Sequence, residues 1–181
     1  VSDLALPSKR TLVVGGLVLT GAALLAWLLW PKRPRRIALI GDSLAVGLGP
    51  QLAKLAAAAG VPFQYQGQTG STVAQWLATP SWGAWVPSFG PSTTLIELGT
   101  NDYLNPSPSL AQYRQLAGKF PNAVWIMPPD EPKAPMPQVR AVINQVGVPV
   151  IPEATGLSYG ADGIHPSNYA AWAAFVWART P

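Results

Sequence analysis

The sequence predicts an α/β domain built on a five-stranded parallel sheet, with one membrane-spanning helix ahead of it. Three observations lead there. From residue 37 onward, five short apolar runs alternate with helix-patterned segments, as strands covered on both faces by intervening helices do. Two of the helical patterns stop at a glycine, Gly60 and Gly147, a common way for a helix to end. Before all of them, "TLVVGGLVLTGAALLAWLLW" (11–30) runs for twenty residues without a charge.

As a helix, that first run would reach about 30 Å, the thickness of a bilayer's hydrocarbon core. Lys9 and Arg10 precede it, "PKRPRR" (31–36) follows it, and Trp27 and Trp30 fall where indoles favour the membrane interface. A cleaved signal peptide is the competing reading, but the run is long and no A-x-A site closes it. The expectation is a single-pass membrane protein. Residues 1–10 form a tail, 11–30 the transmembrane helix, 31–36 a basic linker and 37–181 the folded domain. Four basic residues after the helix, against two before it, lean toward a cytoplasmic domain without fixing the side.

Within the domain, "RIALI" reads as a buried strand. A helix opens at Ser43 and carries the regular pattern "LGPQLAKLAAAAG" (48–60). "VPFQYQ" is the second strand, and "STVAQWLAT" a short helix with Ser71 or Thr72 as its cap. "STTLIEL" is the third strand, followed by the helix "SPSLAQYRQLAGKF". "NAVWIM" and the helix "MPQVRAVINQVG" come next, then "VPVI" and the terminal helix "SNYAAWAAFVWART". There is no internal repeat beyond this alternation and no sign of a second domain. In such a sheet, ligands collect at the carboxyl ends of the strands. The loops on that edge are about 41–46, 67–72, 99–107, 127–134 and 152–166. The opposite edge carries 80–91, where Trp82, Trp85 and Phe89 either seat the domain on headgroups or close a small satellite core.

Composition removes several functions. The net charge of +4 looks like that of a nucleic-acid binder until it is divided by position. Residues 1–36 hold six basic residues and one acidic, whereas residues 37–181 hold six basic and seven acidic. A phosphate-tracking surface needs clustered Lys and Arg, so no nucleic-acid partner is expected. The chain has no cysteine, which excludes disulfides, thiolate metal sites and cysteine nucleophiles.

The chemistry concentrates in the carboxyl-edge loops. Ser43 follows strand one and opens a helix, where a hydroxyl can meet a substrate carbonyl while nearby N–H groups receive the oxyanion. Gly41 allows the tight turn and Asp42 can cap or brace it. An N-cap serine is the ordinary alternative. His165, the only histidine, stands three residues after Asp162 in the last loop on the same edge. That spacing lets the carboxylate fix the ring's tautomer and leave the other nitrogen for Ser43. Gly70 offers an N–H that a ligand can approach closely, and Asn101 an amide that can bond an oxyanion, although Asn101 and Asp102 are equally good turn residues. Glu97, inside strand three, reads as structural.

"GDSL" (41–44), Gly70, "GTND" (99–102) and "DGIHP" (162–166) resemble, in order and approximate spacing, the four blocks of the SGNH, or GDSL, hydrolase family. The likeness runs from residue 37 to about 178. It implies a flavodoxin-like three-layer α/β fold and ester hydrolysis through an acyl-serine. Family roles then fall to Ser43 as nucleophile, His165 as base and Asp162 as its orienting acid. The Ser43 N–H, the Gly70 N–H and the Asn101 side chain would form the oxyanion hole. No metal and no cofactor is expected, and the protein is expected to be monomeric. The domain is short for the family, with minimal substrate-shaping insertions, which leaves the substrate open; the expectation is a small acyl group, such as acetyl, on a cell-wall or other polysaccharide. A lysophospholipase or thioesterase is the alternative, because "IELGTND" also resembles bacterial enzymes of that kind. An idle module on a membrane, for example of a virion, is the third reading.

Overall fold

The computed structural model describes residues 34–105 and 107–181. The segment 11–30, for which the sequence predicts a spanning helix, lies outside them. Among the described residues no helix is long and apolar enough to cross a membrane.

Five parallel strands form one sheet in the order β2-β1-β3-β4-β5: β1 Ile37–Gly41, β2 Phe63–Gly67, β3 Thr93–Glu97, β4 Ala123–Ile126 and β5 Val150–Ile151. The parallel sheet expected from the alternation is therefore present, and the chain switches direction beside β1. The helices are α1 Ser43–Ala58, α2 Val73–Ala78, α3 Val86–Phe89, α4 Leu110–Gly118, α5 Pro137–Ile143 and α6 Tyr169–Trp177, with a 3-10 turn at Thr100–Asp102. Strand residues alternate between two cores because successive side chains point to opposite faces. Ile37, Leu39, Leu95 and Val124 meet α1 and α6, through Leu44, Leu48, Leu52 and Trp172. Ala38, Ile40, Ile96 and Trp125 meet α2 to α5, through Trp76, Tyr113, Leu116 and Val139. That is a three-layer sandwich. Burying a side chain such as Leu48 or Ile96 stabilises it by roughly 2–3 kcal/mol.

Several boundaries differ from expectation, each for a local reason. Thr72, not Ser71, caps α2: its hydroxyl accepts from Gln75 N–H while the Gln75 side chain accepts from Thr72 N–H. β5 is only two residues long, yet the Pro149 carbonyl extends the ladder by accepting from Trp125 N–H. Residues 80–91, expected to be loop, contain the single turn α3. Their aromatics join the core on that face of the sheet and form no satellite of their own: Trp82 lies edge-on to Trp76, Trp85 donates to Gln66 Oε1 and Phe89 is buried. The end of the basic stretch belongs to the domain as well. The Arg35 guanidinium donates to the Thr180 carbonyl and stacks on Trp177, and Arg36 lies over Phe89.

Candidate active site

The site grows from the turn between β1 and α1. Asp42 is the N-cap of α1: its Oδ1 accepts from Leu44 N–H at 2.9 Å. Ser43 is thereby relieved of capping. It sits half-buried at the first helical position, and its hydroxyl turns to His165, with Oγ 2.9 Å from Nε2. The ordinary N-cap reading of this serine does not hold.

His165 is held from its other side. Its Nδ1 lies 2.7 Å from Asp162 Oδ2, and Asp162 Oδ1 accepts from the N–H groups of Ile164 and His165 at 3.0 Å each. With Nδ1–H donated to the carboxylate, Nε2 presents its lone pair to the Ser43 hydroxyl. The bonds from Ile164 N–H, then the ring, then His165 N–H hold the Asp162 carboxyl down at about 2, so the orienting group is charged at neutral pH. The loop is pinned as well. Gly160 N–H donates to the His165 carbonyl, and Lys133 Nζ donates to the Ala161 carbonyl.

Gly70 lies in the loop after β2 with φ +74, a conformation that a side chain disfavours, and a Cβ there would meet nothing within 4 Å. Among the described residues, the N–H groups of Ser43 and Gly70 find no acceptor and stay available to a ligand. Asn101 is brought to the same turn, but its amide is engaged. Nδ2 donates to Asp42 Oδ2 and to the Ser71 carbonyl, at 3.0 Å each. An oxyanion would have to share or displace one of these acceptors. Asp102 faces away, taking Val73 N–H and the Tyr113 hydroxyl at 3.2 Å each, so it ties α2 and α4 to the 3-10 turn.

Beneath the site lies a group of buried acids, three of which the sequence marks one by one but not as a cluster. Asp42 and Glu97 are fully buried, and Glu131 and Asp102 nearly so. Glu131 lies in "PPDEPKAP", which has no periodicity to mark an inward residue; its Oε1 accepts from the Thr100 hydroxyl. Burial pushes the Asp42 carboxyl up to about 6 and Glu131 to about 8, and raises Asp102 too. Glu97 is raised well above the usual carboxylate range by burial first and the Asp42 charge second. Each of these groups binds its proton more tightly folded than unfolded. Their contribution is thus full below about pH 4 and is lost as pH rises, through Asp42 near 6 and Glu131 near 8. The thermal midpoint is expected to fall by about 5–10 °C between about pH 5 and pH 8. A midpoint that stays flat or rises would remove this account.

No family model matches the chain, and no curated protein does. Solved structures do match. TesA shares 22% identity over 80% of this chain and 97% of its own, with a TM-score of 0.59. The acetyl xylan esterase AlAXEase shares 11% over 80% and 98%, with a TM-score of 0.60. The C-terminal catalytic domain of peptidoglycan O-acetyltransferase A (OatA) from Streptococcus pneumoniae shares 16% over 82% and 97%, with a TM-score of 0.53. The fold is shared with these proteins.

Proposed function

We propose that the chain is a serine ester hydrolase that removes small, acetyl-like acyl groups from a polysaccharide or other non-lipid ester. The observation that carries this is the unbroken line from Ser43 Oγ through His165 to Asp162, set at the start of a helix where the Ser43 N–H is unengaged, as is that of Gly70 on the same sheet edge. In the reaction, Ser43 Oγ bonds to the acyl carbon as its proton passes to His165 Nε2. The carbonyl oxygen, now negative, takes the Ser43 and Gly70 N–H groups. Imidazolium then returns the proton to the departing alkoxide, leaving acyl-Ser43. Water, deprotonated by the same nitrogen, releases the acid and restores the hydroxyl.

The substrate class rests on openness. The His165 and Asp162 side chains are 39% and 49% exposed, so an ester displayed on a bulky polymer can reach the serine without a tunnel. Names among the structural neighbours, an acetyl xylan esterase and a peptidoglycan O-acetyltransferase, are of the same kind. The uncharged run 11–30 would hold the domain at a membrane as a single-pass anchor. A fluorophosphonate probe is expected to label the protein at Ser43 alone, read by peptide mass spectrometry. Acetyl esters should outpace octanoyl or longer esters by about tenfold or more in kcat/KM. An unlabelled serine would sink the hydrolase reading, and a preference for long chains would replace it with the lysophospholipase or thioesterase one.

A further inference from the structure

We propose that Glu97 is a positioning residue of this same site, a carboxylic acid that donates a hydrogen bond to Asp42 and through it fixes the Ser43 turn and the Asn101 amide. The inference rests on the serine-hydrolase reading. Glu97 ends β3 directly beside Gly41, and its carbonyl accepts Asp42 N–H at 3.1 Å. Its side chain is wholly buried, and neither carboxyl oxygen meets a hydrogen-bond donor of good geometry. The polar groups nearest it are the Asp42 carboxyl and, at a geometry short of a full bond, the Ala45 N–H.

Two carboxyl groups in contact, both out of water, do not both ionise; one proton is held between them. The surroundings decide where it sits. Asp42 already accepts two N–H groups, from Leu44 and Asn101, which favours its charged form. Glu97 has only the poorly aligned Ala45 N–H against these two full bonds, so the proton belongs on Glu97 and points at Asp42. The other titratable groups facing the pair are Asp102 from the 3-10 turn, Glu131 from the loop after β4, His165, the Tyr113 hydroxyl from α4 and the Tyr169 hydroxyl from α6. Of these only His165 can carry positive charge, and it bears on Asp42.

The consequence is functional because Asp42 is the joint between the nucleophile and the amide. One oxygen fixes the turn that presents Ser43, and the other fixes Asn101. The Glu97 O–H spreads Asp42's charge over the pair, so a full anion does not compete with the developing oxyanion for the Asn101 amide. Charge-assisted bonds of this kind are short and strong, and losing one is felt by whatever it holds.

The test compares E97M, which fills the space without a donor, with E97Q, whose amide N–H can replace the O–H. On a small aryl acetate, E97M is expected to lose about 10–100-fold in kcat with KM within about threefold of the parent. E97Q should recover most of that loss. The parent's kcat should also fall as rising pH ionises Glu97, and E97Q should lack that limb. The pH comparison needs no E97M and stands even if that variant fails to fold. E97M with parental kcat, E97Q as impaired as E97M, or an alkaline limb that persists in E97Q would each overturn the proposal. A parent that neither hydrolyses nor reacts with a fluorophosphonate would fault the hydrolase reading instead. The Asn101 side-chain amide resonances would then decide. They are expected to shift through the alkaline titration in the parent and to hold still in E97Q; no shift in the parent would overturn the pairing.

Discussion

Ser43→Ala is expected to lower kcat/KM for a small aryl acetate by about 10³-fold or more while leaving the thermal midpoint within about 2 °C. The two halves come from different features of one turn. The hydroxyl is the atom placed 2.9 Å from the only imidazole, so its removal leaves no nucleophile for His165 to activate. Asp42, not Ser43, caps α1, so the helix loses nothing when the hydroxyl goes, and alanine is favourable inside a helix. His165→Ala is expected to cost a similar factor, and the double variant little more than either alone, because the two residues act as one unit. Near-normal turnover by Ser43→Ala would mean that another group attacks.

How much of this was legible before the structure depends on which physical signal each residue leaves. The sheet showed itself because strands buried on both faces must be short and apolar, and β1, β3 and β4 are buried at every position. Ser43, Asp162 and His165 could be named because each follows the end of a strand on one edge, and spacing alone let Asp162 reach the ring. The start of α1 at Ser43 was legible, but no local pattern explains why its first turns carry Gly47 and Gly49 beside Pro50. The glycines are present for packing. A Cβ at Gly47 would lie 2.3 Å from the Tyr169 ring, and one at Gly49 would lie 2.3 Å from that of Tyr65. Those rings come from α6 and β2, partners that no local window contains. The same holds for Asn101. Its place near Ser43 followed from edge sorting, but its engagement with Asp42 and the Ser71 carbonyl is a distance between three loops. Glu97 could be read as structural because it sits in a strand, yet its place beside the Asp42 turn depends on the pairing of β1 with β3.

That pairing also makes Gly41 the position with the largest expected effect on stability. A Cβ there would lie 2.1 Å from the Glu97 carbonyl oxygen and 2.6 Å from Ala45 Cβ. The first is backbone of the neighbouring strand and the second belongs to the first turn of α1, so no rotamer change relieves either contact. The strands would have to part, although Asp42 N–H donates to that same carbonyl at 3.1 Å. Gly41→Ala is therefore expected to cost about 3 kcal/mol or more and to lower the thermal midpoint by about 10 °C. Gly118→Ala is the control, because a Cβ at the end of α4 meets nothing within 4 Å, and the midpoint there should hold or rise slightly. If the two variants melt alike, the close approach of β1 to β3 is not as described. Whatever Gly41→Ala remains folded should also be slow. Pushing the turn off Glu97 moves Ser43 relative to a histidine anchored in a separate loop, and a displacement of about 1 Å between reacting groups costs on the order of 10²-fold. Titrating fluorophosphonate-reactive sites on the folded fraction separates the two effects. A folded fraction with parental turnover per labelled site would show that the turn tolerates the shift.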